Sequence, residues 1–192
     1  MKVLIACEFS AIVRDAFRKR GHDAWSCDLL PTEGDPQWHI QGDVLKVLNQ
    51  DWDLMIAHPP CTHLAVSGAK WFAEKRADGR QEAALQFVHN LMTCSIPKWC
   101  IENPVSIIST RIRKPDQIIQ PWMFGHMEQK TTCLWLKCLS LLTPTNNVKA
   151  GMMALLKRER ERLHYMSPGP DRWRERSRTF SGISDAMASQ WG

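Results

Sequence analysis

The 192-residue sequence contains no run of about 18 uncharged apolar residues, the minimum for a membrane-crossing helix, so no membrane segment is expected. Its opening, Met1-Lys2-Val3-Leu4-Ile5-Ala6, enters an apolar stretch with neither a basic leader nor a small-residue cleavage site, and predicts a soluble, intracellular chain. Cysteine occurs at positions 7, 27, 61, 94, 100, 133 and 138, and no two of these are spaced as C-x-x-C, which argues against a zinc or dithiol framework. The number is odd and the flanks are apolar, so reduced thiols serving mostly as small buried hydrophobes are expected, and no metal. Internal repeats and low-complexity tracts are also missing, which removes solenoids and fibrous architectures.

What is present is the makeup of one ordinary domain over residues 1–192, 44% hydrophobic and 23% charged. The net charge of +5 is modest but unevenly spread. Arg111, Arg113 and Lys114 are followed by basic runs at 157–162 and 172–178. Such clustering suits a polyanionic partner, because each phosphate neutralised releases counterions. In the first of those runs glutamates alternate with the arginines, which equally describes a solvated charged face.

Apolar periodicity predicts a parallel α/β arrangement. Residues 3–6 and 24–27 read as buried strands, with a helix between them that Ser10 would cap and Gly21 would end. A short strand at 38–41, a helical turn at 44–48 and a strand at 54–57 follow, and Pro59 and Pro60 force the last of these to stop. The spacing predicts helix at 81–92, strand at 99–101, strand at 130–136, a short helix at 152–163 and a closing helix at 182–191. Residues 105–125 carry no assignable period, and 139–170 shift toward Pro, Asn, Met, Lys and Arg, marking a reduced or flexible segment that could contact a partner.

Open parallel sheets bind ligands beyond the carboxyl ends of their strands. Polar or reactive residues follow five predicted strands here: Glu8, Phe9 and Ser10, then Asp28, Asp43, Cys61 and Glu102. Asp28 and Asp43 can accept hydrogen bonds from a ribose diol or an adenine amine, with Val44 against a flat ring; taken singly, each is as well explained as a turn or helix cap. Cys61 directly after two prolines is held on a rigid loop with an exposed sulfur, and a helix start or nearby cation would raise its thiolate fraction. Glu102-Asn103-Pro104 ends the next strand with a carboxyl that can meet the nitrogen edge of a pyrimidine. His58 and His63 flank Cys61 and read as solvated or capping loop residues, while Trp71 and Trp122 lie in loops where they could stack on bases.

Pro59-Pro60-Cys61 together with Glu102-Asn103-Pro104 resembles the catalytic motif pair of cytosine-5 DNA methyltransferases, and the chain is similar to small, phage-type members of that family. Cys7-Glu8-Phe9-Ser10 resembles the first cofactor motif, and residues 172–180 with Ala186-Met187-Ala188 loosely resemble the closing motifs. The resemblance implies a Rossmann-like S-adenosylmethionine-dependent methyltransferase fold, an α/β architecture of mostly parallel sheet with flanking helices. It implies S-adenosylmethionine as cofactor, DNA as partner and the cytoplasm of a bacterium or bacterial host cell as location. Cys61 would attack ring carbon 6 and Glu102 would contact the ring nitrogens, with Pro60 and Asn103 shaping the two catalytic turns. Glu8, Phe9, Ser10, Asp28, Asp43, Val44 and Pro59 would hold the cofactor, Phe9 lying on its adenine. Arg111, Arg113, Lys130, Arg172 and Arg176 would contact nucleic acid.

The sequence departs from the family pattern in three places. Ala11 and Ile12 stand where glycines normally let the backbone approach the cofactor; residues 139–170 are far too few for a separate recognition domain; and Lys130 stands where an arginine pair is usual. Two other readings of the same residues remain: a pyrimidine-nucleotide methyl-transferring enzyme, and a cofactor- or DNA-binding protein of this fold with little or no turnover.

Overall fold

The computed structural model describes residues 1–192 as one seven-stranded α/β sheet flanked by helices on both faces. The first unit is Lys2–Ala6 (β1), Ile12–Lys19 (α1) and Asp23–Asp28 (β2), with β1 and β2 parallel. Val3, Leu4, Ile5 and Ala6 are all inaccessible to solvent. Both faces of β1 are covered, so the strand reads as a continuous apolar run and not as an alternation.

His39–Gln41 (β3) pairs with β2, and Leu54–Ala57 (β4) returns to the other side of β1. Two helices, Phe72–Ala77 (α2) and Arg80–Met92 (α3), lead to Lys98–Pro104 (β5), parallel to β4. Thereafter come Ile108–Arg111 (α4), Gln117–Ile119 (β6) and Thr132–Lys137 (β7). The sheet order is β3-β2-β1-β4-β5-β7-β6, with β7 antiparallel to both of its neighbours. Strand order reverses between the parallel neighbours β1 and β4, and in doubly wound sheets the crevice at that reversal is where ligands bind.

The alternation of side chains along β1 and β4 divides the core in two. Leu4, Ala6, Met55 and Ala57 face Leu85, Val88 and Leu91 of α3. Val3, Ile5, Leu54 and Ile56 face Val13 and Phe17 of α1 and, beside them, Ile183, Met187 and Trp191 of the closing helix.

Several predicted boundaries change. The stretch 152–163 is not one helix: Lys149–Ala154 (α5), Lys157–Arg160 (α6) and Arg162–Tyr165 (α7) are separated because Leu155 and Leu156 are extended, and the Glu159 carboxylate accepts the Leu156 N–H at 3.0 Å to start the next turn. The segment 139–170 is anchored by buried Leu142, Met152 and Leu163. Arg172–Ser177 (α8) and Ser181–Trp191 (α9) finish the chain. Within 105–125, where no period was visible, Pro115 and Pro121 bracket the three-residue edge strand β6. No helix is long and apolar enough to cross a membrane.

Candidate active site

At the end of β1 the backbone turns sharply. Cys7 and Ala11 both lie in the left-handed region, with φ of 59° and 63°. Each side chain bears a penalty of roughly 1–2 kcal/mol that glycine would avoid. This explains why glycines are expected here, and shows that alanine is tolerated at position 11. Ser10 is not the helix cap: Ala11 holds the N-cap position, and the Glu8 carboxylate reaches forward to accept the N–H groups of Val13 (2.7 Å) and Arg14 (3.1 Å), with the Ser10 hydroxyl donating to it at 3.2 Å. Burial raises the Glu8 carboxyl above its ordinary range, and the opposing pull of His58 and of the two backbone donors does not fully compensate.

Two cavities lie along the carboxyl edge, one on each side of Cys7. The larger, about 230 Å³, sits at the strand-order reversal and is lined by Asp28, Leu29, Asp43, Val44, Pro60 and Phe87 among others. It is a little under the roughly 300–1,000 Å³ usual for small-molecule sites. Asp28 and Asp43 each spend one oxygen on a turn, accepting Leu30 N–H at 2.9 Å and Leu45 N–H at 3.0 Å. Capping and ligand binding are therefore compatible, since the second oxygen of each carboxylate has no partner within the protein. Apolar walls and two acceptor oxygens are the chemistry that recognises a nucleoside.

The smaller cavity, about 50 Å³, is lined by Glu8, Phe9, Ser10, His58, Ser177 and Thr179 as well as Cys7. Phe9 thus does not face the Asp28–Asp43 cavity. Its ring packs on Trp173 of α8, centroids 5.6 Å apart, and is buried there, while Thr32 and Glu33 hold its carbonyl at 3.0 and 2.8 Å. Pro59 lines neither cavity: it is buried and its carbonyl accepts from Asn103 at 2.9 Å, leaving Pro60 to face the larger one.

That Asn103 bond ties the loop after β4 to β5 and sets the position of Cys61. Further on, Lys75 Nζ donates to the Thr62 carbonyl at 2.6 Å and Gln81 to that of His63 at 3.3 Å, so both sides of the Cys61 loop are pinned. Ala57 is in register with Ile101, which brings His58 level with Glu102. His58 Nδ1 lies 3.1 Å from Glu102 Oε2. His58 is therefore no solvated loop residue, a role that local sequence around it could not disclose. Burial acts to raise the Glu102 carboxyl, but the hydrogen bond and charge of His58, helped by Lys130, outweigh it and hold the group below its ordinary value.

Burial first, and then the charge of Glu102, push the Cys61 thiol up. Lys130 and Arg176 favour the thiolate, as a nearby cation should, but burial and the Glu102 charge act more strongly the other way. No group of three or more His, Cys, Asp or Glu side chains is placed to hold a metal ion.

No family model and no curated protein matches the chain. Among solved structures it is similar to a provisionally assigned DNA modification methyltransferase encoded within an E. coli prophage, with 14% identity over 81% of this chain and a TM-score of 0.46. The chain spans 55% of that protein's length.

The basic residues divide. Lys130 reaches the site, its Nζ donating to the carbonyls of Arg176 (2.9 Å) and Arg178 (3.3 Å) and so fastening α8 over the smaller cavity. Arg174 and Arg178 pair with Glu33 at 3.5 and 2.7 Å. Arg172 donates to the His164 carbonyl at 3.4 Å, and Arg111 pairs with exposed Glu82 at 3.3 Å. Arg113 is removed from the site: it bonds Asp116 and the Leu136 carbonyl beside Trp99, at the opposite, amino edge of β5. Leu29, Ala84 and Phe87 line the larger cavity without having been singled out, since apolar residues from α3 and from the turn after β2 carry no chemical signature of their own; Cys7 and His63 line it as well.

Proposed function

We propose that this chain transfers a methyl group from S-adenosylmethionine to carbon 5 of cytosine in DNA, with Cys61 as the attacking nucleophile. The observation carrying this reading is the placement of Cys61 on the loop after β4, which Asn103 ties to β5 beside Glu102, one residue from Pro60 in the wall of a cavity that offers two free carboxylate oxygens. The order of the sheet, with one reversed strand between β5 and β6, agrees with the fold the motif resemblance implies. Asp28, Asp43 and Val44 would hold the adenosine part of the cofactor, with Leu29, Pro60 and Phe87 enclosing it. Bound there, S-adenosylmethionine supplies an electrophilic methyl on a sulfonium.

The chain's own residues then handle the protons and the electron pair. Cys61 gives up its proton to solvent and its sulfur bonds ring carbon 6; the ring double-bond electrons shift, and ring nitrogen 3 takes a proton delivered through Glu102. Carbon 5 is left electron-rich and able to attack a methyl. Loss of the carbon-5 proton to water, return of the nitrogen-3 proton and cleavage of the sulfur–carbon bond restore the ring and Cys61. A target inside a duplex must first leave the stack, at a cost of roughly a few kcal/mol. Exposed Trp173 and the arginines of α8, with Lys130 beneath them, form the face that would meet the phosphates.

The test is label transfer from methyl-labelled S-adenosylmethionine to cytosine-containing DNA. Wild-type protein should label the polymer and form a covalent adduct with DNA containing 5-fluorocytosine, and Cys61→Ser should do neither. Label in free pyrimidine nucleotides alone would move the substrate to the nucleotide pool. Cofactor binding without labelling of either would leave a binding protein of the same fold.

A further inference from the structure

Glu8, His58 and Glu102 stand at the ends of β1, β4 and β5, three consecutive strands of the sheet. His58 is the middle member. One ring nitrogen, Nδ1, is 3.1 Å from Glu102 Oε2, and since a carboxylate only accepts, the ring donates there. The other nitrogen, Nε2, is buried and has no partner within the protein. It borders the cavity of about 50 Å³ whose polar lining is Glu8, Ser10, Ser177 and Thr179, room enough for water held by several polar groups. A buried ring nitrogen facing a polar cavity, with its opposite nitrogen on a carboxylate, is the arrangement of a group that passes protons, whereas a purely structural histidine would have both nitrogens satisfied.

We propose that His58 is the positioning residue for Glu102: it fixes the carboxylate against the substrate side of β5 and is the group from which Glu102 receives the proton it hands to the pyrimidine. This rests on the cytosine reading for the identity of the proton acceptor. When ring nitrogen 3 takes its proton, the Nδ1 proton of His58 passes to the Glu102 carboxylate and on to the ring, and Nε2 takes a replacement from cavity water; the proton released by Cys61 goes to solvent and makes good the one that water gave up. One proton enters the ring as one leaves sulfur, and elimination reverses the transfer. The charged and titratable groups facing the pair are Glu8 from β1, Cys61 from the nucleophile loop, Lys130 ahead of β7, Arg176 from α8, and Cys100 and Cys133 within the sheet.

The experiment combines two readouts on the full chain. Glutamine at position 58 keeps a donor for Glu102 but cannot carry a proton through. For His58→Gln, kcat for methyl transfer to DNA is expected to fall on the order of 10²-fold with KM for DNA little changed, and the double variant with Glu102→Gln should be no slower than Glu102→Gln alone. Independently of turnover, a carboxyl-carbon NMR titration should show the Glu102 midpoint rising by about one pH unit or more in His58→Gln. An unchanged Glu102 midpoint, or an unchanged kcat in an active enzyme, overturns the proposal. A wild-type chain that transfers no methyl while the Glu102 midpoint still responds to His58 sinks the cytosine reading alone and leaves the coupling standing. Amide fingerprint spectra check folding, and His58→Asn replaces the glutamine variant if that one is unfolded.

Discussion

The carboxyl edge of the sheet has two unlike halves. On the β2 and β3 side of Cys7 the edge is open: Asp28 and Asp43 each keep one oxygen unused above an apolar floor. On the β5 side it is closed: Glu8 is consumed by the start of α1, Glu102 is bonded to His58, and α8 lies across the remaining space with Trp173 on Phe9. The open half is ready for a ligand as it stands, while the closed half can receive one only if α8 moves. The bonds holding α8 are of a kind that release easily. Its ion pairs to Glu33 are partly exposed and each contributes about 0–1 kcal/mol, and its other ties are two bonds from Lys130 to backbone carbonyls, one from Arg172 to the His164 carbonyl, and the contacts of Trp173 and Arg174 with Phe9.

The largest effect that can sharpen this contrast is on ligand binding to the open half. Asp28→Asn or Asp43→Asn preserves the turn cap but removes a charged acceptor, so affinity for S-adenosylmethionine by calorimetry should fall about 10- to 100-fold with an unchanged melting temperature. Equal affinity in both variants would mean that the open half is not the cofactor site.

A smaller effect belongs to the closed half. Trp173→Ala removes the stack on Phe9, worth about 0.5–1.5 kcal/mol, and should speed amide exchange in residues 172–178 while β4 and α3 keep their protection. If exchange instead accelerates across the whole sheet, α8 is part of the core and the contrast is lost.

The smallest concerns the turn shared by both halves. In Ala11→Gly the left-handed penalty of roughly 1–2 kcal/mol disappears and the extra chain entropy of glycine takes back about 0.5–1, leaving a net gain of about 1 kcal/mol or less in a denaturant titration. A loss of stability would show that the methyl packed over Gly34 matters more than the backbone angle.

The parallel strands were legible because burial on both faces makes them continuous apolar runs with chemistry at one end. Val3 to Ala6 and Leu54 to Ala57 are of this kind, and Cys61, Glu102, Asp28 and Asp43 followed from them. Strand β6 was not legible: three residues at an edge, paired only with β7, are too short for any period to appear. Phe9 was misdirected because its neighbours fix which residues follow β1 but not which way a ring turns at a left-handed bend. Arg113 failed for a different reason, since proximity in sequence to the site motifs says nothing about which edge of the sheet a connecting loop returns to.

Local sequence by itself determined where strands stop, where prolines stiffen the nucleophile loop, and which carboxylates and thiol stand at strand ends, because these depend on burial pattern and backbone chemistry within a few residues. Only the tertiary structure decided the partnerships: His58 with Glu102, 44 positions apart, Lys130 with α8, and the burial and negative neighbour that push the Cys61 thiol up. Charge and desolvation act through space, and strand register and helix packing set those distances, which no local stretch of residues encodes.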